Sequence, residues 1–204
     1  DLGVSSHQFD VAERGFSTRF DADLDMRMDQ KSKLSAKEII KRYSEDRLAD
    51  ILFLYGELRS ARALAKTIVE ARAESEIETS FQLKEVLKKH LPKAKEHKIL
   101  AQIYQAIRIE VNQELEVLKE FLNQIPDLLN KEGRLSVISY HSLEDRLAKR
   151  FIRTGLFTGE PNKDFYGNTN EPLKKVGKLI VPTQGEIKEN NRARSAKLRI
   201  ATLR

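Results

Sequence analysis

The sequence predicts an α/β fold with an inserted helical bundle, and three observations predict it. The chain opens on a short apolar run that begins with an acid and ends in small polar residues (Asp1, Leu2, Gly3, Val4, Ser5, Ser6). That is the composition of a buried strand delivering polar groups to a ligand cleft. Far downstream, Leu135 to Tyr140 (LSVISY) is apolar and β-branched and runs straight into helix-start residues. Between the two, apolar positions recur at helical rather than strand spacing. With no initiator Met and a strand at its first residue, the chain is expected to begin inside a domain.

Composition bounds the rest. At 204 residues, with 40% hydrophobic and 33% charged, there is material for one or two cores. No stretch reaches the roughly 20 apolar residues of a spanning helix, so a soluble protein with no membrane partner is expected, and the absence of Cys fits a reducing cytoplasm. Cysteine is absent, and His7, His90, His97 and His141 show no ligand spacing, so no metal site is expected. A formal charge of +6 and a pI near 9.4 favour a polyanionic partner.

The segment from Glu13 to Asp29 has no clean period. It reads as an irregular loop that packs Phe16, Phe20, Met26 and Met28 while showing acids and arginines to a cleft; a plain loop with hydrophobic anchors fits as well. Ser35 to Glu38 has capping-box spacing. Leu48, Ile51, Leu52 and Tyr55 trace a helix that Gly56 can stop with positive φ. Leu58, Ala61, Leu64, Ala65, Ile68 and Val69 trace the next, and Thr79 to Gln82 is a second capping box before a helix that Pro92 ends. The basic link PKAKEHK follows. It is either a solvated loop or a first contact for a phosphate backbone, through Lys93 and Lys95. Apolar spacing then runs from Leu100 to Leu122, long enough for one helix to serve two domains.

Leu135 to Tyr140, then His141, Ser142, Leu143, Glu144 and Asp145, reads as strand, tight turn and helix, ending near Gly155. Ligands bind at the carboxyl end of such strands. Ser142 is expected to be a helix cap, and His141 either a structural residue or a site residue. Phe157 to Glu171 is turn-rich. Leu179–Val181 and Leu198–Ala201 are expected to pair as antiparallel strands at a sheet edge, around a helical turn at Glu186–Glu189. Arg192, Arg194, Lys197 and Arg199 form either a polyanion footprint or a solvated terminus.

Taken together, DLGVSS with Gln8, AERGFS, LDMRMD, QAIRIEVNQEL, GRLSVISYHSLEDR and RARSAKLR resemble, in order and across almost the whole chain, the bacterial methyltransferases that modify cytosine N4 in small-subunit ribosomal RNA. The resemblance implies the distal part of a class I, Rossmann-like S-adenosylmethionine-dependent fold with an inserted all-helical domain. Residues 1–14 and 109–204 would form the methyltransferase core, and 15–108 an insertion for RNA recognition. It also implies S-adenosylmethionine as cofactor and small-subunit ribosomal RNA, or the assembled subunit, as partner.

On the family's pattern Asp1 and Gln8 contact the cofactor. Asp1, and His141 by its place at a strand end, are the candidate catalytic residues. Arg27, Lys93, Lys95, Arg108, Arg192, Arg194 and Lys197 are the candidates for RNA contact. His7 and Asn191 stand where the family commonly has Pro. The family's Gly-rich cofactor loop has no counterpart among the nine glycines, so the chain alone is expected to bind cofactor poorly. A non-catalytic RNA-binding module is the alternative, predicting salt-dependent RNA binding without cofactor binding.

Overall fold

The structure, a computed structural model, describes residues 1–161, 165 and 171–204. Most of the turn-rich stretch Phe157 to Glu171 therefore lies outside the described residues. The chain divides into two compact units, residues 4–113 and residues 1–3 with 114–204. These limits fall at Gly3 and Gln113, where the reading of the sequence had 14 and 108.

The first unit is helical. After α1 (Ser6–Asp10) come α2 (Ala36–Arg42), α3 (Glu45–Leu54), α4 (Ala61–Glu74), α5 (Ser80–Leu87) and α6 (Glu96–Asn112). The expected capping box forms at Thr79, whereas at Ser35 only the serine half does, Glu38 pairing with Arg42 instead. Ser35 and Ser44 each accept a backbone N–H of the first turn, and Thr79 and Gln82 complete a reciprocal capping box. The apolar stripes, including Ile39, Leu48, Leu52, Leu64, Ile68, Leu83 and Ile103, converge in one core. Of the four anchors expected in the loop, Phe16 and Met26 are buried and Met28 packs against the core, whereas Phe20 lies exposed under the Arg19 guanidinium.

Three expectations for this region are corrected. The DLGVSS stretch is not a strand: Gly3 sits at φ 76° and turns the chain, and Ser5 caps α1 directly behind it. The helix α3 does not end on a left-handed glycine, because the positive φ falls on Glu57 (52°). Gly56 is needed for room instead, since a Cβ there would lie 2.6 Å from the Leu52 carbonyl oxygen. Finally, the apolar run from Leu100 to Leu122 is two helices. Gln113 adopts φ 51°, ψ 36° and closes α6, and α7 (Glu114–Leu128) starts at the next residue.

The second unit combines α7, β1 (Arg134–Ser139), α8 (Ser142–Thr154), β2 (Leu173–Ile180), α9 (Gln184–Glu189) and β3 (Lys197–Leu203). Among the described residues its sheet has three antiparallel strands in the order β1-β3-β2. The antiparallel pairing near Ile180 and Leu198 is as expected, but of these two strands β2 lies at an edge of the described sheet and β3 is central. The edge strand β2 carries Lys174, Lys175 and Lys178, with a register shift between Val176 and Ile180 around Gly177 at φ 67°. Charges and a bulge keep such an edge from pairing with another chain. Leu122, Leu135, Val137, Ala148, Phe151 and Ala201 fill the core beneath α7 and α8, where Phe151 stacks on Phe157 at 5.0 Å. The start of the chain joins this unit through Leu2, whose N–H donates to the Ile138 carbonyl at 2.9 Å.

Candidate functional site

In the second unit, β1 ends at Ser139 and α8 begins at Ser142, so Tyr140 and His141 make the turn. The cap residue is His141, not Ser142. The Glu144 carboxylate folds back over the turn and accepts from the N–H groups of Tyr140 (3.0 Å) and His141 (3.4 Å), the carboxylate half of a capping box. Those amides are therefore taken by the protein's own acid rather than left for a ligand. The His141 ring makes no hydrogen bond of its own. Its Nε2 stands 3.2 Å from Glu144 Oε1 without the alignment of one, and both ring nitrogens are buried. Glu114, the first residue of α7, completes a cluster in which one ligand atom each from Glu114, His141 and Glu144 lies within 4.8 Å of the others.

One residue on, Asp145 accepts a two-pronged contact from Arg199 of β3, at 2.7 and 3.1 Å, with the Lys197 ammonium 3.5 Å away. Burial alone would raise the Asp145 carboxyl, but the hydrogen bonds and charges of Arg199 and Lys197 outweigh it and hold it below its ordinary range. Lys197, expected at an RNA surface, is thus half-buried beside an acid. Arg192 and Arg194 are exposed on the 3₁₀ turn Asn191–Ser195.

A cavity of about 420 Å³ opens between α8 and the β2–β3 face. It is lined by Lys149, Arg153, Lys174, Lys175 and Lys178, with Glu171 as an opposing charge. The sequence reading missed this cation concentration because its members come from a helix and an edge strand, not from one run.

In the helical unit three of the motifs converge. Arg14 of AERGFS donates to the carbonyls of Arg27 (2.7 Å) and Met28 (3.2 Å), and the Asn112 side chain clasps the LDMRMD backbone by donating to Met26 O (2.8 Å) and accepting from Met28 N (2.6 Å). This holds buried Met26 at φ 58°, a conformation a non-glycine residue adopts only when its surroundings impose it. Glu110, also buried, accepts from Tyr43 (2.7 Å) and Arg47 (3.0 Å), tying α6 to the region of α2 and α3. Burial and that hydrogen bond push the Tyr43 hydroxyl up to about 12.

Arg27 serves this architecture too. Its guanidinium binds both Asp25 oxygens (2.6 and 3.0 Å) and the carbonyls of Gln30 and Ser32, so every nitrogen is engaged within its own loop. Arg108 is half-buried on α6, whereas Lys93 and Lys95 are exposed in the turn before it. Gln8 spends its side-chain carbonyl on the Ser5 N–H at 2.9 Å, and Asp1 is exposed.

The second unit thus combines a mixed α/β fold with a strand-end cluster of two acids and an imidazole and, between α8 and the β2–β3 face, a cavity lined by several cations. Residues 1–204 match the sequence profile of the MraW methylase family. Among similar curated proteins is "Ribosomal RNA small subunit methyltransferase H" of Flavobacterium johnsoniae, 66% identical over 201 residues, covering 98% of this chain and 67% of the relative. Its namesakes in Christiangramia forsetii and Bacteroides fragilis are 65% and 52% identical, with coverage of 98% of this chain in both and of 67% and 66% of the relatives. The chain belongs to the MraW methylase family and spans about two thirds of the length of these relatives. No described helix is long and apolar enough to cross a membrane.

Proposed function

We propose that the protein transfers a methyl group from S-adenosylmethionine to the N4 amine of a cytidine in small-subunit ribosomal RNA. On this reading the second unit belongs to a class I methyltransferase core and the helical unit is an insertion that helps recognise RNA in the cytoplasm. The observation that carries it is a family match over the whole chain, together with relatives at up to 66% identity named for methylating that RNA.

The DLGVSSHQ segment fits part of the cofactor's demand. Asp1 offers an exposed carboxylate, and Gln8, with its carbonyl already bound to Ser5, keeps its amide as a donor. When bound, S-adenosylmethionine supplies an electrophilic methyl on a sulfonium. A cytosine amine is a weak nucleophile because its lone pair is delocalised into the ring, so the protein's task is placement, at about 3 Å and in line, with an acceptor for the amine proton. Asp1 is assigned the acceptor role. The base must leave its stack to reach the site.

The test is calorimetric titration with S-adenosylmethionine, on this chain and on one extended to the length of the relatives, with turnover measured on small subunits from an undermethylated strain. Cofactor binding by the longer chain, and a turnover loss of about 100-fold or more in Asp1→Asn, is expected if Asp1 takes the proton. Absence of binding in both chains would sink the proposal.

RNA contact is assigned to the cavity cations together with Lys93, Lys95, Arg192 and Arg194. The double charge reversal Lys174→Glu with Lys175→Glu is expected to weaken RNA binding and to flatten the dependence of log affinity on log salt by roughly 1.5, as two lost phosphate contacts require. An unchanged slope would remove this face from the interface.

A further inference from the structure

We infer that Glu114, His141 and Glu144 form a binding site for one first-row divalent cation of the manganese or zinc type. Four observations converge on it.

The first is distance. One ligand atom from each residue lies within 4.8 Å of the others, and His141 Nε2 and Glu144 Oε1 are 3.2 Å apart. Ligands placed about 2.1 Å from a common ion stand roughly 3.0 to 3.4 Å from one another in octahedral or tetrahedral arrangement, so this pair already has the spacing of two neighbouring ligands.

The second is the state of the ring. The His141 side chain is 9% exposed, and neither of its nitrogens has a hydrogen-bond partner. Buried polar atoms are rarely left in that condition. A cation on Nε2 would satisfy the nitrogen that now faces a carboxylate oxygen without bonding to it. Glu114 and Glu144 both have further contacts of their own. An arriving cation thus exchanges interactions at the carboxylates and adds one at the imidazole.

The third is support behind the ligands. Glu144 Oε2 is held by the N–H groups of Tyr140 and His141, which leaves Oε1 turned to the ring and fixes the carboxylate plane. Outer contacts of this kind orient metal ligands. All three donors sit where helices begin, His141 and Glu144 at the start of α8 and Glu114 at the start of α7. Ligands on such rigid ends are held more closely than ligands on loops.

The fourth is donor chemistry. One imidazole with two carboxylates suits manganese, iron or zinc better than magnesium, which prefers an all-oxygen shell, and the chain has no thiolate to draw softer ions. Glu114 is only half-buried, so the site has a side open to water or to an oxygen of a ligand.

Histidine spacing alone could not reveal this. The partners of His141 are a carboxylate 27 positions upstream and another three downstream, and the expectation of no metal site rested on the distances among histidines.

The experiment uses manganese chloride as probe, with the free-ion electron paramagnetic resonance signal as readout, on the chain at neutral pH. Loss of signal equivalent to one ion per chain is expected, retained when magnesium chloride is present in tenfold excess. Glu144→Gln keeps an oxygen to accept the Tyr140 and His141 N–H groups, so the turn should fold as before, as circular dichroism would show. It should weaken manganese binding at least tenfold. His141→Asn, which places a favoured helix-capping side chain at the same position, should do the same, while Glu116→Gln on the exposed face of α7 should leave binding unchanged. Failure of the chain to take up manganese, or equal uptake by the parent and both site variants, would overturn the inference.

Discussion

Replacing Asp145 with Ala is expected to lower the unfolding free energy by about 3 kcal/mol, read from urea denaturation. Asp145 and Arg199 are 12% and 14% exposed, and their two-pronged contact joins the first turn of α8 to the central strand β3. Removing the carboxylate leaves the Arg199 guanidinium desolvated, with no acid opposite, and costs much more than the pair contributes as a unit. Charge is the decisive property, so Asp145→Asn should also destabilise, though by less.

The same pair sets an acid limit. Asp145 is held below 3.8, its unpaired value, in the folded protein. In the range between the two pKa values the unfolded chain binds the extra proton, and stability rises with pH there. The contribution is complete above about pH 5 and is lost as pH falls through the folded carboxyl's lowered range. The parent should therefore lose stability on acidification more steeply than Asp145→Ala. Parallel curves for the two proteins below pH 4 would show that the pair is not responsible.

Gly15→Ala is expected to cost about 3 kcal/mol, combining left-handed backbone strain with displacement of a neighbouring segment. Gly15 has φ 68°, and a Cβ on it would lie 2.3 Å from the Asp23 carbonyl oxygen and 3.0 Å from the Asp25 amide nitrogen. Both are backbone atoms, so no rotamer change relieves the overlap. The loop that must retreat carries Met26, whose N–H donates to Arg14 O at 3.1 Å, and Arg27. Faster hydrogen exchange at the Met26 and Met28 amides should accompany the lost stability. Unchanged exchange there would show that the strain is relieved elsewhere.

How legible this was depended on the range of the interaction. Helix starts at Ser35 and Thr79 and the strand–turn–helix at Leu135 to Gly155 were readable because a cap or an alternation is decided within a few residues. The break at Gln113 was not, since glutamine carries no turn signal and the apolar spacing continues past it. Arg27 looked like a surface cation in sequence, and only folding shows four acceptors gathered around it from Asp25 to Ser32. The motif residues Gly15, Glu110 and Asn112 were visible as parts of a pattern, but their work is long-range: close backbone approach, a buried carboxylate that accepts from Tyr43 and Arg47, a clasp on a strained loop. The cluster of Glu114, His141 and Glu144, and the lysines of β2, were hidden for the same reason.

The central position of β3 has a consequence for how the molecule is made. A ribosome releases β1 and β2 before the strand that joins them, so among the described residues every ladder bond of this three-stranded sheet waits for residues 197–203. The helical unit, whose contacts close by residue 113, can meanwhile condense on its own sequence. Synthesis thus passes through an interval in which a finished helical body precedes a strand that bears Leu135 and Val137 and still lacks its β3 partner. In that interval the growing polypeptide is most exposed to aggregation and to capture by a chaperone.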